Sequence, residues 1–255
     1  MTNVLAGYPT ELVLVCCHAI FNVNTTNPWN EANWHLKAFQ KSDENTSKIS
    51  EHFTFISHIQ AAAESLRRPN TFVVFSGGAT DPAIPYSEAE SYEKVFLDLY
   101  SKNDAVMQGH RWVCEVNAID SYQNLLFSVI EFRRKVGHYP ETINVITHAF
   151  KSDRFFKLHG PAIRWHPHRL RVLGINPPFH QHELEQIQKA EYTNAFALFR
   201  TDPYGNESPL VDKRGLRKWN ESKLDDISEG LEDGVRALLL YRGSELFRDQ
   251  KLPWE

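Results

Sequence analysis

Ionisable and hydroxyl side chains recur in short blocks, each placed directly after an apolar run. His18 follows the run at 12–17, and Ser76-Gly77-Gly78 follows 71–75. Glu115 and Asp120 close the run at 112–116, and Thr147-His148 close 142–147, with Lys151 and Arg154 just beyond. Glycines without a Cβ let backbone amides approach a ligand closely. Ser76-Gly77-Gly78 with Lys151 and Arg154 therefore reads as an anion-holding set. Lys151 and Arg154 are three apart, which puts both on one side of a helix. Glu115 and His148 exchange protons near neutral pH when suitably placed, so either is a candidate general acid or base. His18, Glu88, Asp120, Asn124 and Thr147 complete the candidate ligand-binding set. Asp120 also reads as a helix cap, and Glu88 sits in a first helical turn where a carboxylate is favoured for structural reasons.

Several familiar templates are missing. The glycines lack the Gly-Lys-Ser/Thr ending of a phosphate-binding loop and the G-x-G-x-x-G of a dinucleotide site, and no G-x-S-x-G elbow occurs. Twelve histidines invite a metal reading, with the pairs His166/His168 and His180/His182, and His18 and His148 able to meet at one edge. No zinc spacing is matched, so no metal is expected. Lys213-Arg214 and Arg217-Lys218 form a basic cluster that reads as a solvated face, with a flap over an anionic ligand as the alternative.

The elements that must position these residues alternate. Apolar runs at 11–17, 71–75, 112–116, 142–147 and 168–173 read as buried strands. Helical periodicity falls at 49–68, 87–100, 120–136 and 151–159. Ser87 with Glu90 has the form of a capping box, Asp120 an acidic cap, and Gly137 a helix stop. This rhythm means a doubly wound α/β domain with a mainly parallel sheet. Ligands then bind beyond the C-terminal strand ends, where all four loops must converge. Past residue 175 the rhythm breaks. Residues 176–255 read as a helical extension packed on the core at 1–175, with helices at 182–200 and 222–242. An exposed stripe of Leu184, Ile187, Phe196 and Phe199 would mark that extension as an interaction scaffold.

At 255 residues, with 42% hydrophobic and 24% charged residues, the chain is ordinary globular protein and not disordered. About 70–75% of the unfolded surface can be buried at this size. A net charge of −4 carries no basic field, which argues against nonspecific nucleic-acid binding. Cys16, Cys17 and Cys114 suit buried thiols in a reducing compartment. No signal-peptide pattern and no apolar run of membrane-spanning length appear, so the expectation is a cytoplasmic protein without a membrane partner.

The order of the blocks resembles the SanA/YdcF-like family, catalogued as a domain of unknown function. The resemblance rests on Phe75-Ser76-Gly77-Gly78, Ser87-Glu88-Ala89, Glu115 with Asp120-Ser121-Tyr122-Gln123-Asn124, and Val145-Ile146-Thr147 leading to Arg154. It covers roughly residues 11 to 175. It implies a Rossmann-like α/β fold, and a pocket lined by Ser76, Gly77, Gly78, Glu88, Glu115, Asn124, Thr147 and Arg154. The family's association with adenosyl-type ligands makes an adenosyl or nucleotide ligand the implied cofactor class. The chain departs from the family pattern at Cys16-Cys17-His18-Ala19, where a glycine-rich loop is usual, and at Lys151, which takes the place of a family histidine. The leading expectation is a small-molecule-binding protein acting on an anionic or nucleotide-like ligand by hydrolysis or group transfer. A non-catalytic binding or sensor protein and an interaction scaffold are the alternatives.

Overall fold

The computed structural model describes residues 9–217 and 219–255; the N-terminal part of the 1–175 unit and Lys218 of the basic cluster lie outside the described residues. Five strands form one parallel sheet: β1 (Glu11–Cys16), β4 (Thr71–Ser76), β5 (Trp112–Glu115), β6 (Thr142–Thr147) and β7 (Leu170–Gly174). Their order is β5-β4-β1-β6-β7. In chain order of these five strands this is 3-2-1-4-5, the order of a Rossmann-like α/β fold, which reverses direction between β1 and β6. A separate antiparallel ribbon of β2 (Ile20–Phe21) and β3 (Trp34–His35) lies in the long connection leaving β1.

β1 is apolar from Leu12 to Cys16 because helices cover both of its faces. Leu12, Leu14 and Cys16 pack into one hydrophobic cluster, while Val13, Val15 and Cys17 pack into the other. The adjacent thiols thus point to opposite faces. The second cluster is closed by α1 (His52–Ser65) and α2 (Glu88–Leu99), and the first by α3 (Ser121–Val136). The helix ends follow local chemistry. Ser87 Oγ accepts from the Glu90 amide, and Glu90 Oε2 accepts from the Ser87 amide. Asp120 accepts from the Gln123 amide at 2.9 Å, and Gly137 closes α3 at φ 95°. In α1 the buried face carries Phe55, Ile56, His58, Ile59 and Ala62, while Phe53 is exposed.

Beyond β6 the expected helix is longer and irregular. It runs through α4 (Ser152–Arg154), a π turn (Phe155–His159) and α5 (Gly160–Ala162). After β7, α6 (Gln181–Glu191) continues through a second π turn (Tyr192–Phe196) into α7 (Ala197–Thr201). The rest holds α8 (Leu210–Leu216), α9 (Lys223–Ser228) and α10 (Asp233–Leu239). A single helix over 222–242 is therefore not formed. Gly230 takes φ 70° between α9 and α10, a left-handed conformation that interrupts a helix. Phe199, Tyr204, Leu210, Leu224, Ile227, Leu238 and Trp254 join α3 in the first cluster, so this C-terminal part is packed on the α/β core. Among the described residues no helix is long and apolar enough to cross a membrane.

Candidate functional site

The sheet register aligns Cys16, Ser76 and Glu115 at the ends of β1, β4 and β5, with Thr147 ending β6 beside them. All four loops therefore open at one edge. Above the β1/β6 reversal lies a cavity of about 780 Å³. Its walls include His18, Thr147, His148, Lys151 and Arg154 from the core, and α6 and α8 from the C-terminal part.

Three predicted residues lie elsewhere. Ser76, Gly78 and Glu115 are not among the cavity's walls. Ser76 Oγ donates to Glu115 Oε2 at 2.6 Å and accepts from Asn124 Nδ2 at 2.9 Å. The Glu115 carboxyl turns back to accept from the amides of Asn117 and Ala118. Burial raises that carboxyl to about 7 against these hydrogen bonds. The carboxyl expected to transfer protons at the crevice thus stands off the cavity wall and is bonded to its own loop. The glycine amides are committed as well. Gly77 N–H donates to Glu115 O and Gly78 N–H to Ala118 O, so neither amide is free for an anion. Their missing Cβ admits protein instead: at Gly77 it would lie 2.9 Å from Cys17 Cβ and from Glu88 Oε2.

Asn124 and Glu88 do reach the cavity, but each is committed. Asn124 donates to Ser76, and Glu88 Oε1 accepts from Thr80 at 2.6 Å while burial raises its carboxyl. Asp120 caps α3 and pairs with Arg214 at 2.7 Å. Of the basic cluster, Lys213, Arg214 and Arg217 line the cavity, with Lys213 exposed.

The strongest convergence is around three imidazoles. His18 and His148 meet with ring centroids 4.5 Å apart, and His58 stands 5.7 Å from the first and 5.3 Å from the second. Burial pushes all three pKa values down, His58 to about 4 and the others well below the ordinary imidazole value. All three are therefore neutral at pH 7. His18 Nδ1 lies 3.3 Å from Lys151 Nζ, and its Nε2 lies 3.3 Å from Thr147 Oγ1. An ammonium can only donate, so Lys151 fixes the proton of His18 on Nε2, which then donates to Thr147. In that tautomer His18 cannot take a proton from Thr147. His148 is different. Its Nε2 is 3.7 Å from Glu51 Oε2, and neither ring nitrogen has a hydrogen-bond partner. His148 is neutral, so the nearby Glu51 carboxyl forms no salt bridge with it.

The two cations differ as well. Arg154 Nε is 3.3 Å from Glu191 Oε1, whereas Lys151 forms no ion pair with a carboxylate among the described residues. Burial, then the Arg154 charge, lowers Lys151 to about 8. Among the described residues no group of His, Cys, Asp or Glu is arranged to hold a metal ion.

Sequence reasoning missed Glu51, His58, Glu183 and Glu191. His58 left one signal, an imidazole three residues after Phe55 and four before Ala62 on the buried stripe of α1. The stripe suggested for a scaffold turns inward: Phe199 is buried, and Leu184, Ile187 and Phe196 are half-buried. The chain is similar to the uncharacterized protein YOR238W of Saccharomyces cerevisiae. The two are 28% identical over an alignment of 257 residues that covers 81% of this chain and 83% of the yeast protein. No family model and no solved structure matches the chain.

Proposed function

We propose that the protein binds a small anionic ligand of nucleotide or phosphosugar type above the β1/β6 reversal and acts on it by hydrolysis or group transfer. One observation carries this: Lys151 and Arg154 stand together on the cavity wall, and among the described residues only Arg154 is ion-paired, to Glu191 at 3.3 Å. Two cations that share one carboxylate leave an excess of positive charge at the cavity wall, and an anionic ligand supplies the balance. His18 positions the ammonium, and His148, whose ring nitrogens carry no hydrogen-bond partner, is the group for proton transfer. Of the pocket residues implied by the resemblance to the SanA/YdcF-like family, Gly77, Glu88, Asn124, Thr147 and Arg154 line this cavity, and an adenosyl or nucleotide ligand belongs in the first trials.

A thermal-shift screen against nucleotides, phosphosugars and adenosyl compounds tests the reading. Binding at a hundred times Kd raises stability by about 2.7 kcal/mol. Lys151→Met keeps the length and removes the charge. It should weaken the ligand found by about 1.5–3 kcal/mol and leave the free protein at least as stable as the parent. Undiminished affinity in Lys151→Met would remove the basis of the proposal. His148→Gln should keep affinity within about tenfold and abolish turnover. Full turnover in that variant would leave a binding or sensor protein with proton transfer placed elsewhere.

A further inference from the structure

We infer that Glu191 is the resident anion of an oxyanion subsite formed by Lys151 and Arg154, and that α6 is a lid released when a phosphate-type dianion takes Arg154 from it. This rests on the anionic-ligand reading above and adds the class of anion and what the ligand must displace.

α6 roofs the cavity without being anchored in a core. Glu183, Ile187, Ala190 and Glu191 face the cavity, yet no residue of α6 is buried. A helix with so little buried surface opens locally at low cost. Two ion pairs tie it down, Glu191 to Arg154 at 3.3 Å and Glu183 to Lys48 at 3.6 Å. Both cations line the same cavity, so the contacts that hold the lid are also contacts an anionic ligand would seek.

Arg154 is poorly served by its present partner. It is 8% exposed, and its Nε is buried without a hydrogen bond despite the nearby carboxylate. A guanidinium presents five donors in a fixed fork and is matched by an oxyanion that can meet it edge-on. Charge arithmetic selects the anion. With Glu191 in place the subsite holds two cations and one carboxylate, and a dianion entering it meets that carboxylate. Once Glu191 leaves, two cations face two negative charges. A phosphate monoester therefore gains more from displacement than a carboxylate does.

The local backbone places a joint at each partner. Arg154 is the last residue before the π turn Phe155–His159, and Glu191 the last before the π turn Tyr192–Phe196. Such turns interrupt the regular helical ladder and are frequent at functional positions. Beyond the second turn, Phe199 on α7 is buried, so α7 is fixed while α6 can pivot from it.

The test uses the full chain with inorganic phosphate and pyrophosphate as probes. Calorimetry at constant ionic strength compares the parent with Glu191→Gln, and hydrogen exchange follows the amides of 181–191. Glu191→Gln should bind phosphate about tenfold more tightly. Phosphate should speed exchange across α6 in the parent, and Arg154→Gln should speed it without phosphate while weakening phosphate binding. Equal affinity in parent and Glu191→Gln, or slower α6 exchange on phosphate binding, would overturn the latch and leave the anion site intact. Absence of binding by both probes in parent and Glu191→Gln alike would overturn the latch together with the anionic-ligand reading.

Discussion

Glu115 and His58 are both buried and titratable, but they bear on stability in opposite directions. The Glu115 carboxyl titrates near 4.5 in the unfolded chain and about 7 in the folded one, so the folded state holds the extra proton between those values. Its contribution is greatest below pH 4.5 and is lost as pH rises through 7. Glu115→Gln removes the titration and keeps an acceptor for the Asn117 and Ala118 amides. Urea unfolding at pH 5 and pH 8 should therefore show a smaller loss on going to pH 8, by up to about 3 kcal/mol. Glu115→Ala strands those amides and should cost about 2–5 kcal/mol, while ligand affinity stays within about twofold. A stable Glu115→Ala that has lost all turnover would return the residue to catalysis. For His58 the signs reverse. It titrates near 6.5 unfolded and about 4 folded, so its contribution is full above pH 6.5 and is lost as pH falls toward 4. His58→Gln can still donate to Ile175 O and should lose about 3 kcal/mol less than the parent between pH 7 and pH 4. Equal losses in both would show that His58 is not held neutral. At this scale the sequence conveys residue types and strand-end positions. It does not convey which way a side chain turns, and that is why Glu115 was legible as a polar strand terminus but not as a group bonded to its own loop.

The turn after β6 has its position set by a neighbouring strand end. A Cβ at Gly174 would lie 2.4 Å from the Ala149 Cα, which is backbone and cannot rotate aside. Gly174→Ala should push the turn Ala149–Lys151 away from β7, cost about 1–3 kcal/mol, and weaken ligand binding by displacing Lys151. Gly215 in α8 is the contrast, with open space where its Cβ would be. Gly215→Ala should raise stability by about 0.5–1 kcal/mol, because alanine loses less backbone freedom in a helix. Chemical unfolding of both variants checks this, and a Gly174→Ala protein as stable as its parent would sink the packing argument. The five sheet strands were legible to within about two residues because each carries a short apolar run, fully buried in β1 and β4, a signal that survives without knowledge of its neighbours. The β2–β3 ribbon was not, since two-residue strands carry no period. Nor were the π turns, whose extra residue leaves the apolar spacing of the flanking helix nearly unchanged. The break at Gly230 was hidden by helix formers on both sides, although glycine was the residue that permitted it.

At the scale of the whole molecule, the question is whether the C-terminal part is a separate module or a wall of the same core. The contacts favour a wall. Trp254 donates its indole N–H to Ile163 O at 2.8 Å, and its ring packs against Tyr139 and Trp165. Arg169 donates to Trp254 O, and Arg164 pairs with Glu255. The Tyr204 hydroxyl donates to Ala162 O and accepts from the Phe247 amide, tying two C-terminal segments to the end of α5. Leu224, Ile227 and Leu238 share one cluster with Leu125, Leu126 and Val129 of α3. Removing the chain after residue 175 would leave that face of α3 bare, and the product should aggregate or lose fixed tertiary packing. Trp254→Ala is the gentler probe. It should cost about 3–5 kcal/mol, as expected for a large buried aromatic. The destabilisation must appear as a shift of one transition if the molecule unfolds as a unit. Far-UV dichroism and tryptophan fluorescence should then give coincident urea curves, with a lower midpoint and an unchanged slope. Ligand affinity should hold within about twofold, because Trp254 does not line the cavity. Two separated transitions in Trp254→Ala, the earlier one leaving the sheet and the ligand site intact, would make residues 176–255 an independent module. The inward turn of α6 and α8 over the cavity would then need an explanation other than a shared core.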